Sequence, residues 1–277
     1  MDLAGVVDLH LHTAPDVRQR SLDDLEAARA ALAHRMGGVL LKNHHAPTAA
    51  RAAVARLAVR GAPVYGGVVL NEFVGGLNPA AVAASVQMGG RAVWLPTFSA
   101  QNHRRVERLG DDGIALRDSA GKPLPALVRV LELAAEHDLL LSTGHVSADE
   151  VLAVVPLARR IGVKKILVQH AEHSVVALTH DQQRALADQG AFIERCYGNP
   201  RPGGGTHELM HDRNLASIHA VGAASTVLSS DLGQPENPSW PDGFAASLDR
   251  LLEAGVSAAE LDVMCRQNPA RLLGLAI

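Results

Sequence analysis

Eight short apolar runs recur along the chain, and a segment of helical character separates each run from the next. Strands that alternate with helices form parallel βαβ units, because two parallel strands need a long crossover connection. Eight such units close into a barrel within a chain of 277 residues. The sequence therefore predicts an α/β fold, a single (β/α)8 TIM barrel that forms one domain over residues 1–277. The predicted strands are residues 6–12, 39–42, 64–70, 92–95, 139–141, 166–168, 191–193 and 226–228.

A doubly wound parallel sheet shows the same alternation and is the alternative fold. It is disfavoured because no GxGxxG sequence follows the first run and because polar residues gather at many strand ends. Residues 21–24, 147–150 and 179–182 have the pattern of helix N-terminal caps. Residues 98–123 break the alternation, since they are polar and rich in arginine. We expect an insertion after the fourth strand, either an active-site lid or a peripheral or oligomer contact.

Composition argues against several classes of partner. Hydrophobic residues make up 47% of the chain, charged residues 20%, and the formal net charge is −3. This composition indicates neither a basic surface for nucleic acid nor an electrostatic membrane anchor. The sequence has no recognisable signal peptide or transmembrane span, so we expect a cytoplasmic protein with a small-molecule partner. The sequence leaves open whether the protein forms a homo-oligomer. Cys196 and Cys265 lack CxxC spacing, and Cys196 is expected to be a small buried apolar residue.

The first run ends in alternating histidines. Side chains two apart in a strand project to the same face, so Asp8, His10 and His12 are predicted to point one way. Two adjacent imidazoles provide half of a metal site, because neutral imidazole is a preferred ligand of zinc and similar ions. Asp8 would then orient one of the rings. Two surface histidines at a frayed strand end are the alternative interpretation.

Polar residues follow most of the other predicted strands. In (β/α)8 barrels the C-terminal ends of the strands form one rim, which carries the active site. An isolated histidine after a strand is more often a loop residue than a ligand, but several histidines and an aspartate on one rim indicate a cation site. Of the adjacent His44 and His45, at most one is expected to face this site. The rim residues are His10, His12, Lys42, Asn71, Glu72, His145, His170, Glu194 and Asp231.

The order of these residues resembles the amidohydrolase superfamily, with HxH on the first strand, His on the fifth and sixth, and Asp on the eighth. The sequence NPARLLGL, residues 268–275, is similar to the C-terminal tail of many members. The motifs LN at 70–71, VGGLNP at 74–79, STGH at 142–145 and SDLGQ at 230–234 are similar to an uncharacterised amidohydrolase-like branch. The resemblance spans nearly the whole chain and implies these metal ligands: His10, His12, His145, His170 and Asp231.

The resemblance implies a divalent transition metal, with zinc favoured over manganese or iron, and Asp231 as the proton acceptor. Two-metal members supply a bridging lysine or glutamate from the fourth strand, whereas residues 94–96 provide neither. Three explanations stay open: a single metal, a bridge from Lys42 as a carbamate or from Glu72, or an unusual ligand from His103. One ion is favoured, and two ions remain the alternative.

A bound dication lowers the pKa of its water towards about 7 and so produces hydroxide near neutral pH. The predicted reaction is hydrolysis of an amide, lactone or cyclic-imide bond, with Asp231, His145 and Lys42 as catalytic residues. Whichever of His145 and His170 does not bind the catalytic metal would stabilise the oxyanion. Lys42 would contact a substrate anion if it is not a carbamate. Substrate contacts are predicted for His103, Asn71, Arg201 and Gln234.

Three other functions fit parts of the pattern. Residues 8–13 resemble the first motif of the polymerase-and-histidinol-phosphatase (PHP) phosphoesterases, but their late Asp-x-His is missing because Leu232 and Gly233 follow Asp231. A non-oxidative decarboxylase fits a single-metal site without a fourth-strand bridge. A metal-containing barrel that only binds a ligand is disfavoured by the proton-accepting Asp231.

Overall fold

The strands lie where the apolar runs predict them, and the (β/α)8 barrel is confirmed. The computed structural model describes residues 1–199, 208–209 and 211–276. Its strands are β1 (Val7–His12), β2 (Gly38–Lys42), β3 (Val64–Tyr65), β4 (Gly67–Val69), β5 (Ala92–Trp94), β6 (Leu140–Ser142), β7 (Lys165–Val168), β8 (Phe192–Cys196), β9 (Gly198–Asn199), β10 (Glu208–Leu209) and β11 (Thr226–Ser229). In one parallel sheet, β2 lies between β1 and β3. In the other, the strands pair in the order β4, β5, β6, β7, β8 and β11. Strands β9 and β10 pair antiparallel.

The third barrel strand is interrupted at Gly66, so one predicted run becomes β3 and β4. Strand β3 pairs with β2, whereas β4 pairs with β5. A Cβ atom at Gly66 would lie 2.3 Å from the Thr48 carbonyl oxygen, and one at Gly67 would lie 2.2 Å from the Ala92 carbonyl oxygen. Only glycine allows backbones to approach this closely. The interruption therefore follows from backbone packing that the apolar run alone does not reveal.

Backbone hydrogen bonds connect the first and last barrel strands at their C-terminal ends. The His12 N–H donates to the Leu232 carbonyl at 2.9 Å, and the Asp231 N–H donates to the His10 carbonyl at 2.8 Å. Leu11 and Leu232 also form a parallel bridge. These contacts bring Asp231 beside the HxH sequence from the opposite end of the chain.

Strand β1 does not alternate uniformly, because its register with β2 shifts between Asp8 and Leu11. Val7 and Leu9 pack in the apolar cluster inside the barrel, whereas Leu11 packs in a second cluster that includes helix side chains. A shift of one residue moves the following side chains to the other face of the strand. His10 and His12 still lie on one face, with ring centroids 5.2 Å apart, but the prediction that Asp8 shares that face is wrong.

Helices cover the outside of the barrel, and several begin at the caps that the sequence predicts. They are α1 (Asp24–Ala33), α2 (Ala49–Ala58), α3 (Pro79–Gln87), α4 (Gln101–Val106), α5 (Pro125–Glu136), α6 (Ala148–Ile161), α7 (His180–Asp188), α8 (His211–Val221), α9 (Asp242–Glu253), α10 (Ala258–Asp262) and α11 (Asn268–Leu273). Ser147 and Thr179 form the predicted capping boxes of α6 and α7. The cap of α1 is Asp23 rather than Ser21, because the Asp23 carboxylate accepts from the N–H groups of the first turn. Each helix among the described residues is too short or too polar to cross a membrane.

Apolar side chains fill the barrel interior below the rim. Helix α11 adds Ala270, Leu272 and Leu273 to this interior cluster. The strand residues of the cluster are Val7, Leu9, Leu40, Val69, Ala92, Trp94, Leu140, Leu167, Phe192 and Val227. Because the interior is filled by apolar groups, polar side chains of the strands collect at the C-terminal rim.

The predicted insertion between β5 and α5 contains the short helix α4, which the sequence did not predict. Further along, Arg117 and Pro123 form an antiparallel bridge. The turn between them is closed by a hydrogen bond of 2.9 Å from the Gly121 N–H to the Asp118 carbonyl. Residues 117–123 therefore form a small hairpin.

Candidate active site

Side chains from several strand ends meet in one cleft at the rim. His12 and Lys42 are the last residues of β1 and β2, whereas His145, His170 and Asp231 follow β6, β7 and β11 within three residues. The strand ends thus converge as the barrel topology requires. Of the predicted site residues, those that line the cleft are His10, His12, Lys42, His145, His170, Asp231 and Gln234.

Asp231 lies between the histidines. Its Oδ1 is 3.2 Å from Nε2 of His10 and 3.2 Å from Nε2 of His12. Its Oδ2 is 3.6 Å from Nε2 of His170. Asp231 and His170 both have left-handed backbones with φ of 51°. Non-glycine residues adopt this conformation at a cost in free energy, which the surrounding structure must offset. The fold therefore holds these two side chains against a local preference.

His10 is buried and contacts three other polar groups. Its Nδ1 lies 3.3 Å from Glu194 Oε2 and 3.6 Å from Cys196 Sγ. Its Nε2 lies 3.0 Å from Lys42 Nζ. A carboxylate beside Nδ1 fixes the ring and favours the tautomer that leaves Nε2 free to bind a cation. Glu194 therefore occupies the orienting position that the sequence assigned to Asp8.

Asp8 contacts no histidine ring among the described residues, so the role predicted for it is wrong. Its carboxylate accepts hydrogen bonds from the Ser230 N–H at 3.0 Å and from the His10 N–H at 3.1 Å. The indole Nε1–H of Trp240 also donates to it, at 2.9 Å. Asp8 therefore links β1 to the segments that follow β11, as a consequence of the register shift in β1.

Burial shifts the protonation equilibria of the cluster. Desolvation raises the pKa of Asp231 to about 8 and the pKa of Glu194 to about 7, although the nearby Lys42 ammonium opposes both shifts. Desolvation also lowers the pKa of Lys42 to about 8. The pKa values of His10 and His12 fall well below the ordinary range for the same reason. Both imidazoles are therefore neutral, which is the form that binds metal ions.

The donor atoms of the cluster suit a transition-metal ion. One atom each from His10, His170, Cys196 and Asp231 lie within 4.8 Å of one another. His145 is also buried, and its Nε2 has no hydrogen-bond partner among the described residues. A buried nitrogen without a partner is costly unless a ligand satisfies it. Imidazole nitrogen and carboxylate oxygen are typical ligands of zinc and related ions, so the residues fit the predicted cation.

His103 lies behind His145 and does not line the cleft. The two Nδ1 atoms are 3.0 Å apart, so one ring donates to the other. Burial lowers the pKa of His103 to about 4, which keeps that ring neutral near pH 7. When His103 accepts from the His145 Nδ1–H, the His145 Nε2 keeps its lone pair. This placement supports a role in orienting His145 and does not support the predicted substrate or metal contact.

Asn71 also lies behind the cleft. Its Oδ1 accepts from the Thr97 N–H at 2.8 Å, and its Nδ2 donates to Thr97 Oγ1 at 2.7 Å and to the His44 carbonyl at 3.0 Å. The side chain is fully buried, and both ends of its amide are used within the protein. The predicted substrate contact is therefore wrong, and Asn71 instead fixes the segments after β2 and β5.

Of the remaining predicted site residues, Gln234 lies at the cleft and Glu72 does not. Glu72 is exposed on the 3-10 helix Glu72–Val74 and does not line the cleft, so it provides no bridge to a metal. Gln234 lines the cleft, and its Nε2 donates to the Asp231 carbonyl at 3.0 Å. Arg201 lies outside the described residues.

Several residues at the site were missed from the sequence. Arg18, Arg20 and Phe98 line the cleft, and Cys196 lies behind His10, with its Sγ 3.6 Å from Nδ1 of that ring. The two arginines follow the HxH strand in an irregular loop, which has no periodicity from which the direction of their side chains could be predicted. Cys196 is buried as expected, but its position among the ligands could not be read from its spacing.

The fold is a (β/α)8 barrel, which the chain shares with solved structures that include an amidohydrolase from Burkholderia multivorans. The chain belongs to a family of unknown function, DUF6282, whose sequence model matches residues 5–194. The matched region includes the four histidines of the ligand set and ends before Asp231. No curated protein sequence matches the chain.

Solved structures share this fold over almost the whole chain. A protein from Pseudomonas putida, provisionally assigned as a 2-pyrone-4,6-dicarboxylic acid hydrolase, is 17% identical with a TM-score of 0.60, over 100% of both chains. The organophosphorus hydrolase from Deinococcus radiodurans is 17% identical with a TM-score of 0.59, over 98% of this chain and 92% of that one. A 2,6-dihydroxybenzoate decarboxylase from Rhizobium is 15% identical with a TM-score of 0.52, over 98% and 99%. At these identities the likeness establishes the fold alone.

Proposed function

We propose that this protein is a metal-dependent hydrolase that activates water to cleave an amide, lactone or cyclic-imide bond in a small molecule. The observation that carries the proposal is the position of Asp231 Oδ1, 3.2 Å from Nε2 of both His10 and His12. A carboxylate beside several imidazoles can share a cation with them and accept a proton from water at that cation. Two of the similar structures are hydrolases by name, which supports this assignment.

A divalent transition metal is the proposed cofactor. We favour zinc, with manganese or iron as alternatives, because imidazole-rich donor sets suit these ions. A bound dication supplies Lewis acidity and lowers the pKa of its water towards about 7. One ion is favoured over two because neither residues 94–96 nor Glu72 brings a bridging group to the cleft; Lys42 lines the cleft and would bridge two ions only as a carbamate. The residues that would hold the cation are His10, His12, His145, His170 and Asp231.

Asp231 is the proposed proton acceptor, and Lys42 is the proposed source of fixed positive charge. Asp231 Oδ1 lies 3.2 Å from Nε2 of both His10 and His12, so the carboxylate is within reach of a water molecule at a cation that these residues share. The carboxylate takes a proton from the attacking water and returns it to the leaving group. Lys42 Nζ is fully buried near the same oxygens, where it stabilises negative charge. His145 presents Nε2 to the cleft, which suits metal binding better than donation to the oxyanion.

Metal analysis tests the proposed centre directly. We expect purified protein to contain one to two equivalents of transition metal by plasma mass spectrometry, and the double variant His10→Ala/His12→Ala to contain none. The matched control is His34→Ala/His137→Ala, because both of these residues lie at exposed helix C-termini. Full metal content in the folded His10/His12 variant would overturn the proposed centre.

A substrate panel tests the proposed chemistry. Lactones, cyclic amides and imides, esters, phosphate esters and aromatic carboxylates are assayed with the metal-loaded protein. We expect turnover of acyl compounds that is lost in Asp231→Asn. Turnover of phosphate esters alone would overturn the assignment and favour a phosphoesterase, although Asp231 lacks the following His of the PHP motif.

A non-oxidative decarboxylase is the second candidate. It is favoured by one specific observation: Trp94, at the end of β5, packs inside the barrel where two-metal members would supply a bridging ligand. The decarboxylase from Rhizobium has the same fold. Release of carbon dioxide from aromatic carboxylates, with no hydrolysis of acyl compounds, would establish this alternative.

The cellular setting is also a proposal. We propose a cytoplasmic protein with a small-molecule partner, which binds neither nucleic acid nor membrane. The net charge of −3 and the two non-motif cysteines support this setting. Size-exclusion chromatography with light scattering would show whether the protein forms the homo-oligomer that the sequence leaves open, and an electrophoretic mobility shift with nucleic acid would overturn the proposed setting.

A further inference from the structure

Positive side chains outnumber negative ones in the cleft. Arg18, Arg20 and Lys42 line it, and Asp231 is the one carboxylate among the described lining residues. A dication held by the histidines would increase this excess of positive charge. A cleft of one predominant sign attracts ligands of the opposite sign. The charge balance therefore favours an anionic substrate over a neutral one.

Arg20 is held in a fixed position beside the cleft. Its side chain is 2% exposed, and its Nε and Nη2 lie 2.6 Å and 2.5 Å from Asp16 Oδ2. Asp16 is fixed in turn, because it accepts from the Val17 N–H at 2.7 Å and pairs with His45 Nδ1 at 3.0 Å. A guanidinium that is already immobilised loses little conformational entropy when it binds a ligand.

One edge of the Arg20 guanidinium remains available. Its Nη1 makes no hydrogen bond to any described residue, and its Nη2 lies 3.4 Å from His12 Nδ1. When His12 binds a cation through Nε2, the neutral ring carries its proton on Nδ1. Nη2 then loses this acceptor, so two neighbouring N–H groups need a new one. A planar pair of N–H donors matches the oxygens of a carboxylate or phosphate.

We propose that the substrate carries an oxyanionic group beside the scissile bond, and that Arg20 binds this group with help from Arg18 at the cleft mouth. The inference rests on the proposed function, because it names the substrate class of the same site. Carboxylate and phosphate share the required chemistry. The experiment below distinguishes these two sources.

The first measurement compares matched substrates on the metal-loaded protein. Each neutral lactone or cyclic imide is paired with analogues that carry a carboxylate or a phosphate monoester next to the reacting carbonyl. We expect kcat/KM to be about 10–100-fold higher for one anionic series, the range of a charge-assisted hydrogen-bond pair. The preferred series identifies the anion. Equal kcat/KM for neutral and anionic members would overturn the inference and leave the proposed hydrolase intact.

The second measurement uses binding alone, so it does not depend on turnover. Calorimetry measures the binding of malonate and of inorganic phosphate to the wild type and to two variants. Arg20→Lys keeps the positive charge but loses the paired N–H donors of the guanidinium. Arg18→Met is not expected to affect folding, because Arg18 is exposed. We expect weaker binding of one anion in both variants. Arg29→Met is the control, because Arg29 is exposed on α1 and does not line the cleft. Unchanged anion affinity in both site variants, with normal metal content, would overturn the inference.

An independent observation concerns His44, whose tautomer is fixed by a chain of hydrogen bonds. Asn71 Oδ1 accepts from the backbone N–H groups of Thr97 at 2.8 Å and Ser99 at 3.3 Å, so Asn71 Nδ2 must be the atom that donates to Thr97 Oγ1. His44 Nδ1, at 2.8 Å, is the one described acceptor within reach of the Thr97 hydroxyl hydrogen, because the other partner of this hydroxyl, Asn71 Nδ2, is a donor; Thr97 Oγ1 therefore donates to His44 Nδ1. The neutral His44 ring therefore carries its proton on Nε2.

His44 is positioned to use this proton. The ring stacks between His12 and Phe98, with centroid distances of 4.8 Å and 3.9 Å, and it lines the cleft. No described residue accepts from its Nε2. We infer that His44 Nε2–H donates a hydrogen bond to the substrate oxygen that gains negative charge in the proposed reaction. A fixed donor of this kind stabilises the oxyanion without reorganisation.

Kinetics and NMR together test this inference. In His44→Phe, which keeps the ring stack, we expect kcat to fall by about 10²–10³-fold with unchanged metal content, and His44→Gln to recover part of it through its amide donor. The exposed His137→Phe is the control. Nitrogen-15 chemical shifts of the His44 ring in the wild type identify its tautomer whether or not the protein is a hydrolase. A proton on Nδ1, or a wild-type kcat in His44→Phe, would overturn the inference.

Discussion

Two clusters of buried polar side chains differ in how completely the protein itself pairs them. Between α1 and α2, the Arg51 guanidinium donates from Nε and Nη2 to the two oxygens of Asp24, each at 2.8 Å, and Thr13 Oγ1 donates to the same carboxylate at 2.6 Å. At the rim, by contrast, burial raises the pKa of Asp231 and His145 Nε2 lacks a partner among the described residues. The first cluster is complete without a ligand, whereas the second has donors and acceptors that suit a cation.

The largest expected difference between the clusters is catalytic. We expect Asp231→Asn to lower kcat by about 10²–10⁴-fold, because the amide cannot accept the proton of water. In metal-free protein the same change leaves the free energy of unfolding equal or higher, since it removes a buried acid that the protein pairs incompletely. Steady-state kinetics and urea denaturation in chelator measure both effects. A metal-free Asp231→Asn protein that is clearly less stable would remove the distinction between the clusters.

The next largest effect is stabilisation by the metal. At a free zinc concentration 1,000 times the dissociation constant, binding to the folded state alone adds about 4 kcal/mol to the free energy of unfolding. We expect this gain in the wild type and in Asp24→Asn, but a smaller gain in Asp231→Asn. Thermal unfolding with and without chelator provides the comparison. An equal gain in all three proteins would place the ion elsewhere.

The same substitution in the first cluster, Asp24→Asn, is expected to lower stability and to leave activity unchanged. We expect Asp24→Asn to lower the free energy of unfolding by about 3 kcal/mol, because it leaves the mostly buried Arg51 without its counter-charge. The kcat of the remaining folded protein is expected to be unchanged, since Asp24 does not line the cleft. Chemical denaturation and active-site titration check these outcomes. Equal effects of Asp24→Asn and Asp231→Asn on the stability of the metal-free protein would show that the two clusters do not differ in how completely the protein pairs them.

The smallest effect is the pH dependence of metal-free stability. The folded protein holds protons on Glu194 and Asp231 up to about pH 7 and pH 8, whereas both acids ionise near pH 4 when unfolded. Stability from these groups therefore falls as the pH rises from about 4 to about 7 for Glu194 and to about 8 for Asp231, by at most about 1.4 kcal/mol per pH unit for each group, and it levels off above these values. Histidines with lowered pKa values act in the opposite direction, but mainly below the ordinary histidine pKa.

This pH dependence is measured by unfolding in chelator between roughly pH 6.5, the ordinary histidine pKa, and the pH of about 8 where Asp231 titrates. We expect stability to fall across this window in the wild type and to fall less steeply in Asp231→Asn. Saturating metal should remove most of the slope, because the bound cation replaces the proton on Asp231. A stability that rises across the window would contradict the protonated state of these acids.

Much of the fold could be predicted because its signals are local. Apolar runs indicated the strands, and residues such as Ser147 and Thr179 indicated helix starts through hydrogen bonds within one turn. The break at Gly66 and the register shift in β1 could not be predicted, because both depend on contacts with segments that are distant in sequence. The error for Asp8 follows directly from that shift.

The candidate ligands could be predicted because topology alone brings strand ends to one rim. His145, His170 and Asp231 needed only the correct strand order to be placed together. Arg20 could not be placed, because its position depends on Asp16 and on the shape of an irregular loop. His103 and other polar residues near the cleft were misassigned, because sequence does not show which side chains are already paired within the protein.

The passage of the Asp231 segment against β1 has a consequence for biosynthesis. A Cβ atom at Gly233 would lie 1.8 Å from the His12 carbonyl oxygen, so glycine alone allows this contact between distant parts of the chain. A nascent polypeptide emerging from the ribosome carries its HxH sequence long before Asp231 is synthesised. Until the last strand docks, the growing chain lacks Asp231, which is both a proposed ligand and the proposed proton acceptor. The proposed cation site is therefore complete only after the last barrel strand has been synthesised and has paired with β1.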